Sequence, residues 1–114
     1  MEIPNEKITT DLILRWLTEQ VESKRMIPRE VWLDASFKLN LLLGDEVHEA
    51  EMLRQTIAQN KLAILQGQEK RNVAAAELEI EASDEYRFMR EQDAKVDRIK
   101  EFIRIAKKNV EQNF

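Results

Sequence analysis

The chain has 114 residues and a net charge of −4; 35% of its residues are charged and 43% apolar, and there is no cysteine. That length suits one domain spanning residues 1–114, and the missing cysteine excludes disulfides and thiolate metal sites. Only two glycines and two prolines interrupt a chain rich in helix formers, so an all-α fold is expected, and the acidic balance argues against a protein that coats nucleic acid.

Met1-Glu2-Ile3-Pro4-Asn5 lacks the basic and apolar regions of a signal peptide, so no export is expected and the cytoplasm is the expected location. The next segment, ITTDLILRWLTEQVESK, offers Thr9 or Thr10 as an N-cap. Ile13, Trp16, Leu17 and Val21 follow at helical spacing and predict a first helix over about 9–24. A basic turn, Lys24-Arg25-Met26-Ile27, leads to Pro28, which fits the first turn of a second helix. There Val31, Trp32, Ala35, Leu39, Leu42 and Leu43 make an apolar face wider than a two-helix seam requires, so the first helix is expected to cover part of it. The densest apolar stretch, Leu39 to Leu43, is interrupted by Asn40 and is far shorter than the roughly 20 residues of a membrane span, so no membrane association is expected.

Gly44-Asp45 could end a helix, but one mid-helix glycine costs only about 1 kcal/mol relative to alanine, so the second helix is read as continuous to about residue 66. Gly67 then supplies a stop, and Asn72 a cap for a last helix over about 73–111. In that helix every seventh residue from Ala75 through Ala82, Met89, Val96, Ile103 and Val110 is apolar, the mark of a long helix with one seam to bury. Two helices of similar length predict an antiparallel hairpin, about 29–66 and 73–111, with the short helix of about 9–24 packed on it. Volume matching suggests a register with Ile64 opposite Ala75, Ile57 opposite Ala82, Ala50 opposite Met89 and Leu43 opposite Val96.

Charge on the last helix is uneven. Seven acids lie between Glu77 and Asp93, and six bases between Lys95 and Lys108. This pattern suits the helix macrodipole; it would also match a second copy lying antiparallel about Ala94, or a basic end that meets phosphates. Trp16, Trp32, Phe37, Phe88 and Phe102 have aliphatic neighbours at helical spacing, which points to core packing rather than to base stacking. Phe88 and Phe102 flank the seam, and with Arg98, Arg104 and Lys108 they are the candidate partner-binding residues.

His48, with Asp45 and Glu51 three residues to either side, resembles half of a Glu-x-x-His metal arrangement, but one histidine per chain is too few unless two chains share the site, and no second such pair is present. No phosphate loop, nucleophile elbow or histidine-centred triad can be written, so no metal, no cofactor and no enzymatic activity are expected.

The blocks WLDASFKLNLLLGDE (32–46) and EASDEYRFMREQDAKVDRIKEFIRIAKK (81–108), with ITTDLILRWL near the start, resemble small helical proteins of tailed bacteriophages and prophages that have no established activity. The resemblance covers most of the chain and carries over no catalytic residue. It implies a viral protein in the host-cell cytoplasm with a role near genome replication or recombination. The expected function is that of a non-enzymatic phage accessory protein that acts by protein–protein interaction, with self-association and a host or phage protein as partners. The alternatives are a nucleic-acid-associated replication or recombination factor and a structural component of the virion.

Overall fold

The computed structural model describes residues 9–112, so the reading of Met1–Asn5 lies outside the described residues. They form four helices: α1 (Thr10–Glu22), α2 (Arg29–Gln66), α3 (Val73–Glu81) and α4 (Asp84–Gln112). The fold is an all-α hairpin, with α2 as one arm, α3 and α4 as the returning arm, and α1 packed on the open end.

Local chemistry sets the ends of the helices. Thr9 is the N-cap of α1, its Oγ1 accepting from the Leu12 amide at 3.2 Å, which satisfies one of the first-turn donors. At the other end Lys24 adopts φ 54°. Its amide bonds to the Val21 carbonyl, and the Arg25 amide to that of Gln20, so a lysine holds the left-handed position of a Schellman cap. The Pro28 carbonyl accepts from Val31 and Trp32 to open α2, and Asn72 caps α3 by accepting from the Ala75 amide at 3.1 Å. Helix α2 runs through Gly44 unbroken for 38 residues, about 57 Å.

The returning arm differs from one continuous helix. It breaks at Ala82–Ser83, where the Ser83 hydroxyl accepts from the Tyr86 amide and its carbonyl from that of Arg87. Asp84 and Glu85 then complement the new N-terminus. The break re-phases the seam. Ala75 and Ala82 are exposed, and Ala76 and Ile80 are buried in their place, so the expected layers Ile64–Ala75 and Ile57–Ala82 do not form. Beyond the break the heptad holds, with Val96 and Ile99 buried and Ile103 and Val110 half-buried.

The chain folds as two compact units, to both of which α2 and α4 contribute. One joins the residues up to Asp45 with those from Val96 onward. Its core is formed by Ile13, Leu14 and Leu17 of α1, by Ile27, by Trp32, Ala35 and Leu39 of α2, and by Ile99 and Ala106 of α4. Leu17, Leu39 and Ile99 are fully buried, each favouring the fold by about 1.5–3 kcal/mol.

The second unit, Glu46–Lys95, has a thinner interior in which Ala50, Ala76 and Ile80 are the buried hydrophobic residues among those described. Polar links between its arms set the alignment. Gln92, itself buried, donates to the Glu46 carbonyl at 2.9 Å and to its carboxylate at 2.6 Å, and Lys61 pairs with Glu77 at 3.1 Å. The expected register would put Asp93 opposite Glu46 and Leu78 opposite Lys61, so these links lie one residue away from it.

Candidate interaction surface

The five candidate partner-binding residues fall into different surroundings. Phe102 is half-buried and packs against the core of the first unit, so most of its ring serves the fold. Arg98 is exposed but donates to the Thr18 hydroxyl at 2.9 Å, tying α4 to α1. Arg104 forms a bidentate pair with Glu101. That hydrogen bond holds the Glu101 carboxyl below its ordinary range and the Arg104 guanidinium above its own. Lys108 is exposed, as are Lys100 and Lys107. Phe88, in the second unit, is 46% exposed, with the Arg87 guanidinium 5.2 Å from its ring centre.

A larger apolar surface lies where the sequence reading placed core. Phe37 belongs to the aromatic set expected inside, yet it is 65% exposed, and with Leu33 and Leu41 it lies on α2 away from the core. The signal was available: the core face Trp32, Ala35, Leu39, Leu42 and Leu43 leaves Leu33, Phe37 and Leu41 over, spaced four apart on another side of the helix. The second unit shows a similar excess. Short helix α3 carries apolar residues on more than one side, between Glu77, Glu79 and Glu81, so that burying Ala76 and Ile80 leaves Leu78 and Val73 exposed.

An open depression of about 440 Å³ lies at the α3–α4 break, lined by Glu81, Ser83, Asp84, Tyr86, Arg87 and Glu91 among others. Its charges are largely matched, since Arg87 lies 3.7 Å from Asp84 and 4.0 Å from Glu91. His48 is exposed, and the Glu51 carboxylate is taken by Arg54 at 2.8 Å. Among the described residues no group of three or more acidic or imidazole side chains is placed to hold a metal ion. Among them, too, no helix is long and apolar enough to cross a membrane.

No family model, curated protein or solved structure matches this chain. Its surface therefore has to be read from its own chemistry. The feature that stands out is large apolar side chains exposed on the helices.

Proposed function

We propose that the chain is a non-catalytic binding module that acts by covering its exposed apolar side chains with another protein surface. The observation that carries this reading is the exposure of Phe37, Leu41 and Leu78, each above six-tenths, on helices whose opposite sides are already packed. A scattered exposed leucine is ordinary; a phenylalanine with a leucine on either side along one helix is a candidate contact surface. The setting assigned to it, the cytoplasm of a phage-infected cell, rests on the sequence resemblance alone.

Cross-linking of tagged chain in infected cells, followed by mass spectrometry, tests the reading. The wild type is expected to give a defined set of cross-linked proteins, its own copies included. A variant with Phe37, Leu41 and Leu78 changed to glutamine is expected to lose that set while melting within a few degrees of wild type. An unchanged set in that variant would refute the reading.

A further inference from the structure

We infer that the outer face of α2 in the first unit, Leu33, Phe37 and Leu41 with Asn40 and Gly44, is a self-complementary surface on which a second copy of this chain packs antiparallel. This rests on the reading of the chain as a binding module and names the surface and its occupant.

Shape is the first argument. Leu33, Phe37, Asn40 and Gly44 follow a spacing of four, three and four, the spacing of a helix–helix seam, on the side of α2 turned away from the core. The first two side chains are large, and they are 44% and 65% exposed. The last two leave hollows. A Cβ added at Gly44 would meet nothing within 4 Å outside the helix's own backbone, and the Asn40 amide folds down to donate to the Ser36 carbonyl at 2.8 Å.

An antiparallel copy places Leu33 over the partner's Gly44 and Phe37 over the partner's Asn40, and the two-fold axis repeats both layers. Every layer then sets a large side chain against a small or flattened one, as close packing requires. A parallel copy sets Phe37 on Phe37 and Gly44 on Gly44, crowding one layer and emptying another. Leu41, 64% exposed, lies beside the seam and extends the apolar area.

Charge is the second argument. The cations Lys24, Arg25 and Arg29 precede the seam and outweigh Glu30, whereas Asp45 directly follows its far end at Gly44. An antiparallel partner brings the basic end of one copy to the acidic end of the other, and a parallel one brings like to like. The Asp34–Lys38 pair at 2.8 Å neutralises the flank between them. Gly44 has no steric reason within its own chain to be glycine, and a second copy supplies one.

Sedimentation equilibrium of the full chain from low to high micromolar concentration tests this. The wild type is expected to be a reversible dimer. Gly44→Leu fills the hollow and is expected to weaken dimerisation by at least about tenfold, while the monomer melts no lower because leucine is the better helix former. Leu33→Ala combined with Gly44→Leu exchanges large and small in the two outer layers and is expected to recover most of the lost affinity, which a parallel pairing cannot do. A wild type that stays monomeric, a Gly44→Leu variant that dimerises like wild type, or a double variant without recovery would each overturn the inference. If the chain is monomeric yet still cross-links to other proteins through Phe37, this inference fails while the binding-module reading stands. Loss of both removes the two together.

Discussion

Two side chains carry consequences out of proportion to their size. Lys24 holds a left-handed backbone conformation that costs an L-residue roughly 1–2 kcal/mol and glycine almost nothing. Its cap bonds are made by backbone groups, so Lys24→Gly keeps them. The substitution is expected to raise unfolding free energy by about 0.5–1 kcal/mol, less than the full strain because glycine also loosens the unfolded chain. Urea unfolding at constant slope checks this, and a lowered midpoint would contradict it. Glu101 is the second case: its hydrogen bond from Arg104 depresses the carboxyl pKa below the ordinary 4.5. The pair therefore supports the fold above the unfolded-state pKa and loses that support as pH falls through the folded value. Both groups are fully exposed, so the effect on stability is small and is better read by NMR titration of the Glu101 carboxyl. Arg104→Gln is expected to return the titration to the ordinary range.

At the scale of elements, the position and type of α1 and α2 were legible because their signals are local: Thr9 as cap, Pro28 at the entry, Gly67 and Asn72 at the turn. The break at Ser83 was equally local, a serine followed by Asp84 and Glu85, but the seven-residue run through Ala82 masked it. Alanine fits a seam or a surface equally well, so the two alanines that extended the heptad backwards carried no phase information. Phe37 was misplaced for a related reason. Its aliphatic neighbours at helical spacing, Leu33 and Leu41, are themselves exposed, and an apolar stripe does not by itself tell which way it faces. If the Ser83 cap holds the break, Ser83→Ala removes the acceptor for the Tyr86 amide. The expected cost is about 1 kcal/mol, with faster hydrogen exchange at Tyr86. An unchanged stability with slower exchange there would mean that the two helices fuse and that the cap is not what separates them.

Across the whole molecule, burial is distributed unequally, and stability should follow it. The first unit draws on α1, α2 and α4 and closes over Ile13, Leu17, Trp32, Leu39 and Ile99. The second pairs α2 with α3 and the start of α4, buries only the smaller set Ala50, Ala76 and Ile80 among its described hydrophobic residues, and is linked across its arms by the Lys61–Glu77 ion pair and the Gln92–Glu46 hydrogen bonds. A surface ion pair such as Lys61–Glu77 contributes roughly 0–1 kcal/mol, so it aligns the arms more than it holds them together. Native-state hydrogen exchange should therefore divide along the chain. Amides within Leu14–Leu17, Ala35–Leu39 and Ile99–Ile103 are expected to exchange only with global unfolding. Those of Leu53–Ile64 and Ala76–Ile80 are expected to exchange on the order of tenfold or more faster, through local opening. The same division predicts two different responses to truncation. Leu39→Ala, in the dense core, is expected to cost about 2–5 kcal/mol and to lower protection everywhere, because both units share α2. Ile80→Ala is expected to speed exchange in Glu46–Lys95 and to leave Leu14–Leu17 nearly untouched. Uniform protection across both units, or a loss at Leu14–Leu17 on changing Ile80, would show that the chain opens as one cooperative body and would defeat the argument from burial.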